Sequence, residues 1–159
     1  MTNEETPVLV VDENRKVTAL LEVLLDRIGV HDRVVVHDGY EAVRALEERR
    51  FAAALVDTAT GPLDPVTLAR EGTARHGNAA CRLLLMTMTP DPDRLRPMLD
   101  AGYHCALLKP FPPAALRARL EGVVRFGRPL MSAIPFLRKP HTRIEPTVVS
   151  TPPQEAFMI

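Results

Sequence analysis

The sequence predicts a doubly wound α/β domain, a five-stranded parallel sheet with helices on both faces. Short β-branched runs alternate with helix-periodic stretches from residue 7 to residue 126. The runs are apolar throughout instead of alternating with polar residues, as strands buried on both faces are. A chain of 159 residues, 46% apolar and 25% charged, is large enough to bury such a sheet in one core and cramped for two.

The elements follow in order. Val8-Leu9-Val10-Val11 is the first strand, and Val17, Leu20, Leu21, Leu24, Leu25 and Ile28 then recur at helical spacing until Gly29 ends the first helix. Val34-Val35-Val36 is the second strand; Asp38-Gly39 leads into a helix carrying Ala42, Val43 and Leu46. Ala53 to Val56 forms the third strand and stops at Asp57, before a loop rich in Pro and Gly. Asp64-Pro65 opens a helix expected to reach about His76. Leu83 to Met86 is strand four, Asp91 to Ala101 helix four, Cys105 to Leu108 strand five, and Pro112-Pro113 starts a fifth helix ending near Phe126.

Twenty basic residues balance twenty acidic ones, so a nucleic acid or an anionic membrane would need a local basic patch. Cys81 and Cys105 lie in apolar stretches and read as buried thiols in a reducing compartment, not as a disulfide framework. The first residues are acidic where a secretory signal is basic, and no stretch has the length of a membrane span. A cytoplasmic location is the expectation. Proline marks a boundary near Gly127, because six of the fifteen prolines fall in residues 127–159. Residues 1–126 are therefore expected to form the domain, and 127–159 a Pro-rich, mildly basic extension too short for a DNA-binding domain. Docking on its own domain, crossing to a second protomer in a homodimer, binding an anionic ligand or staying mobile are all open uses for it.

Chemistry in such folds gathers at the carboxyl ends of the strands, beside the point where strand order switches. The residues met there are Asp12 with Glu13, Asp57, Thr87 and Lys109. Taken singly, each has an ordinary explanation: a helix cap, a turn former, a strand end, a solvated lysine. Together they are three acids, a hydroxyl and an amine at one edge. Carboxylates so placed repel unless a cation intervenes, and oxygen ligands suit Mg2+, so Asp12, Glu13 and Asp57 are the candidate metal ligands. With Lys109 and Thr87 in reach, such a site could take a phosphoryl group onto a carboxylate oxygen.

The stretches Val-Leu-Val-Val-Asp12-Glu13-Asn14, Ala-Leu-Val-Asp57, Leu-Leu-Leu-Met-Thr87 and Leu-Leu-Lys109-Pro110-Phe111 resemble the receiver domain of bacterial two-component response regulators, most of all the stand-alone chemotaxis type. The resemblance implies a flavodoxin-like sheet of order 2-1-3-4-5. It implies Asp57 as phosphoacceptor, Asp12 and Glu13 as Mg2+ ligands directly or through water, and Thr87 and Lys109 as partners of the phosphoryl group. It further implies a sensor histidine kinase or histidine phosphotransfer protein as donor. The downstream protein target would dock on the face of helix 4, strand 5 and helix 5.

Four positions depart from the family pattern. Glu13 stands where an Asp is usual, the loop Thr58 to Pro65 is atypical, Met88 replaces a small residue after Thr87, and Ala106 replaces an aromatic one. Met88 stands where it could crowd an inward swing of Thr87, and without a ring at 106 a signal would have to travel otherwise, through Tyr103, His104 or the Thr89-Pro90 loop. The leading expectation is a single-domain response regulator, not a conventional enzyme. The alternative is a pseudo-receiver scaffold or ligand-binding module that phosphorylation does not switch, with the basic tail as the binding element. A phosphate-monoester hydrolase, the third class, lacks its usual second Asp, since Ala59 stands there.

Overall fold

Strands β1 (Val8–Val11), β2 (Arg33–Val36), β3 (Ala53–Asp57), β4 (Arg82–Thr87) and β5 (Tyr103–Leu108) pair in parallel in the order β2-β1-β3-β4-β5. They belong to a computed structural model that describes residues 7–75 and 77–126. The expectations for the extension 127–159 lie outside the described residues. In the three central strands every residue but Arg82 is buried, which accounts for their uninterrupted apolar runs. Because the chain leaves β1 for β2 on one side and β3 lies on the other, the switch in strand order falls between β1 and β3.

Helices α1 (Arg15–Arg27) and α5 (Pro113–Phe126) pack together on one face. Helix α2 (Gly39–Glu48), the short α3 (Pro65–Thr67) and α4 (Pro92–Asp100) form the other layer. Asn14, Asp38, Asp64 and Asp91 cap α1 to α4 by accepting amide hydrogens of the first turn. At α2 the cap is reciprocal: Asp38 accepts from the Glu41 amide at 2.8 Å, and Glu41 accepts from the His37 amide at 2.7 Å.

The third helix is shorter than its pattern predicts. It passes from α3 into a π-helical turn, Leu68–Gly72, and breaks into turns before His76, which is itself outside the described residues. A Cβ on Gly72 would lie 2.7 Å from Leu46 Cδ1, so the glycine serves a close approach to α2 that periodicity does not reveal. Leu20, on the apolar stripe of α1, is 43% exposed, so that stripe is not wholly buried. Cys81 and Cys105 are buried free thiols, and burial holds their pKa values up at about 12 and about 11. Among the described residues, no helix is long and apolar enough to cross a membrane.

Candidate functional site

Asp12 is the first residue past β1 and is 1% exposed. Its amide donates to the Val36 carbonyl at 3.2 Å, and its Oδ1 accepts from the Asn14 amide at 2.9 Å, fixing the carboxylate at the head of α1. Asp57 closes β3 and is 7% exposed; its Oδ2 accepts from the Ala59 amide at 2.9 Å. Lys109 follows β5, and its amide donates to the Thr87 carbonyl at 2.7 Å, continuing the strand pairing by one residue.

The Lys109 ammonium lies 2.7 Å from Asp57 Oδ1 and 3.0 Å from Asp12 Oδ2, bridging the two acids. Burial alone would lower the Lys109 pKa, but the hydrogen bonds that the ammonium donates to Asp57 and Asp12 outweigh it and raise the value above 10.5. The ammonium is thus fixed in its charged form. Two carboxylates share one ammonium, so the cluster keeps one net negative charge in a largely buried cleft.

Glu13 stands apart from the two inward carboxylates. It is exposed, and among the described residues no three His, Cys, Asp or Glu side chains come close enough together to hold a metal ion. Glu13 lies past the end of β1, in the bend that leads into α1. Two inward carboxylates nevertheless fit Mg2+, which is commonly held by one or two carboxylates with waters and phosphate oxygens completing its shell.

Thr87 is buried at the end of β4, but both its hydrogen bonds go to its own loop: the hydroxyl donates to the Thr89 carbonyl at 3.0 Å and accepts from the Thr89 amide at 3.1 Å. Met88, the next residue, is 69% exposed. Ala106 is half-buried and packs against the core. Tyr103 is held in place, its buried hydroxyl donating to the Pro65 carbonyl at 2.9 Å. Burial and the nearby Asp64 charge push the Tyr103 pKa far up.

The atypical loop after Asp57 has its own anchors, away from the strand-end residues. The Thr60 hydroxyl donates to the Leu63 carbonyl, and the Gly39 amide donates to the Thr60 carbonyl at 2.9 Å. A Cβ at Gly39 would stand 2.6 Å from the Leu63 carbonyl oxygen, so the glycine lets α2 approach this loop. The sequence signal is Asp38-Gly39 facing a loop whose Gly61 adopts φ +73°.

A 2-1-3-4-5 parallel sheet with two acids and a bridging lysine at its switch point defines a doubly wound α/β domain with one polar cleft at the carboxyl edge. The chain belongs to the response regulator receiver domain family, whose profile matches residues 8–121. It is 30% identical over 119 residues to the transcriptional regulatory protein GltR of Pseudomonas aeruginosa. It is 25% identical over 118 residues to the alkaline phosphatase synthesis transcriptional regulatory protein PhoP of Bacillus subtilis. Each alignment covers 74% of this chain and 48% of the relative, so the chain spans about half the length of the curated relatives it matches.

Among solved structures, the receiver domain of sensor histidine kinase PA1611 from P. aeruginosa is 28% identical, with a TM-score of 0.69. The match covers 76% of this chain and 98% of that domain, which carries a magnesium ion coordinated in its active-site cleft. The chemotaxis protein CheY4 of Vibrio cholerae, 21% identical with a TM-score of 0.69 over 74% of this chain and 98% of that one, shares the fold.

Proposed function

We propose that this receiver domain accepts a phosphoryl group on Asp57 from the phosphohistidine of a sensor histidine kinase or phosphotransfer protein, and signals by changing its contacts with a downstream protein. The observation that carries the reading is the Lys109 ammonium bridging Asp57 and Asp12 at 2.7 and 3.0 Å. A carboxylate oxygen of Asp57 attacks phosphorus as the P–N bond to the donor imidazole breaks, and the departing nitrogen keeps that electron pair. Lys109, moving off Asp12, pairs with the phosphoryl oxygens, while the Ala59 amide continues to hold Asp57 in place. Thr87, released from Thr89, supplies a hydroxyl to the same oxygens. Asp12, Glu13 and Asp57 would hold Mg2+, directly or through water; the ion would supply neutralisation and alignment of the transferring group. The protein is not a conventional enzyme on this reading, since the group it accepts stays on its own side chain.

The altered surface would be the β4–α4 loop with α4, β5 and α5. Ala106 in place of an aromatic favours a second reading, a pseudo-receiver that phosphorylation does not switch. Intact-protein mass after incubation with acetyl phosphate and Mg2+ separates the two. One added phosphoryl group, lost with Asp57→Ala and with a chelator, is the expected result; an unmodified mass together with no Mg2+ binding would favour the pseudo-receiver.

A further inference from the structure

Beside the acid–lysine cleft runs an apolar groove of about 220 Å³, lined by Val17, Leu20 and Leu21 of α1, by Met88, and by Lys109, Pro110 and Phe111 after β5. Two of these walls are large apolar side chains facing solvent: Met88 is 69% exposed and Leu20 43%, with Val23 at 50% further along α1. Exposed apolar side chains gathered in a concavity give an apolar chain segment a place to bury its own side chains.

We propose that the occupant is the chain's own segment Ile134-Pro135-Phe136-Leu137, returning from the end of α5. The first argument is reach. Helix α5 has fourteen residues and starts at the cleft edge of the sheet. At about 1.5 Å per residue it carries the chain about 21 Å away from that edge. An extended chain covers at most about 3.3–3.6 Å per residue, so at least six or so residues are needed to come back. Leu130 and Met131, four and five residues past Phe126, fall short of the groove; Ile134, eight residues past, is the first large apolar residue that reaches it.

Charge is the second argument. Arg138 and Lys139 follow Leu137 directly. With the apolar segment in the groove they arrive at an edge where Asp12 and Asp57 share a single lysine and Glu13 stands exposed. Later apolar stretches lack this match: Val148-Val149 and Phe157-Met158-Ile159 have Glu145 and Glu155 as their nearest charges. Pro135 fixes one backbone angle within the segment and so reduces the entropy lost on docking.

The test uses the full chain labelled at methionine methyl carbons and observed by NMR. Met88 reports the groove, while the buried Met86 and Met98 report the integrity of the fold. Phe136→Asp is expected to move the Met88 methyl resonance toward the position of free methionine and to leave Met86 and Met98 in place. Phe136→Leu should keep Met88 near its original position, and sedimentation should give a monomer mass with Met88 independent of protein concentration. An unmoved Met88 in Phe136→Asp overturns the proposal. So does a shift produced by Phe157→Asp in its place, which would put the far end of the chain in the groove. A Met88 position that follows concentration as the mass doubles also overturns it, by assigning the groove to a second copy.

Discussion

Lys109 and Asp57 meet at 2.7 Å across the carboxyl edge of the sheet, and the same ammonium reaches Asp12 at 3.0 Å. The side chains of Lys109 and Asp57 are only 12% and 10% exposed, so water screens the pair weakly. One cation holds two repelling carboxylates in place, and any process that draws Lys109 away from Asp12 changes the balance of the whole cleft. Stability and the proposed phosphoryl chemistry therefore rest on the same three residues.

Removal of that cation leaves two buried acids facing each other. Lys109→Met is expected to cost about 3 kcal/mol in urea denaturation at pH 7, the scale on which breaking a buried pair is felt. In an Asp57→Asn background the same substitution should cost at least ~1 kcal/mol less, because the repulsion it unmasks is already gone. The pH dependence has a definite sign. The Lys109 pKa is raised on folding, so its contribution is complete below pH 10.5 and is lost as pH rises through the raised value.

Asn78 ties three elements together from a 3-10 turn (Asn78–Ala80). Its side-chain amide donates to the Leu46 and Arg49 carbonyls at 2.8 and 2.9 Å, and its oxygen accepts from the Phe51 amide at 2.8 Å. Asn78→Ala would strand these backbone groups in a buried site, for a predicted loss of about 3 kcal/mol by chemical denaturation. Asn78→Asp keeps the acceptor for Phe51 but sets carboxylate against two carbonyls, and should be no better tolerated.

At Gly39 a methyl group has nowhere to go, since it would stand 2.6 Å from the Leu63 carbonyl oxygen and 2.7 Å from Leu63 Cβ. Gly39→Ala should therefore destabilise the domain by about 1–3 kcal/mol, despite the better helix propensity of alanine. Hydrogen exchange should show the loss of protection concentrated in the Thr58–Asp64 loop and the first turn of α2.

His104 fills a break in the β4–β5 ladder, where the register shifts between Leu83 and Leu84. Its Nδ1 accepts from the Leu83 amide at 3.1 Å, a bond that a protonated ring cannot make. Burial, with the Arg82 charge second, lowers its pKa from 6.5. This contribution to stability is then complete above pH 6.5 and is lost as pH falls through the lowered value. Thermal melts between pH 7.5 and 5 should show this decline, and His104→Ala should reduce it.

The sheet was legible because its strands are buried on both faces, which imposes runs such as Val8–Val11 and Ala53–Val56 that no helix stripe imitates. Asp12, Asp57 and Lys109 were legible because a strand end fixes where its next residue points. The exposure of Glu13 was not, since it lies in the bend past β1, where the strand no longer fixes the direction of the chain. The early end of the third helix, the Asn78 staple and the His104 bulge also escaped, because each depends on a contact distant in the chain: Gly72 with Leu46, Asn78 with Leu46 and Phe51, His104 with Leu83. The pattern around Ala106 reads as a lost ring; the structure adds that its neighbours Tyr103 and His104 are engaged in structural hydrogen bonds.

The most direct test of the phosphoacceptor assignment is chemical mapping of the modified residue. An aspartyl phosphate is an acyl phosphate, and borohydride reduces it to the alcohol, converting that aspartate to homoserine and releasing phosphate. After treatment with acetyl phosphate, Mg2+ and borohydride, peptide mass spectrometry should place homoserine at position 57, and Lys109→Ala should greatly reduce its yield. Homoserine at Asp12 or elsewhere, or an undiminished yield without Lys109, would contradict the role given to the Lys109–Asp57 pair.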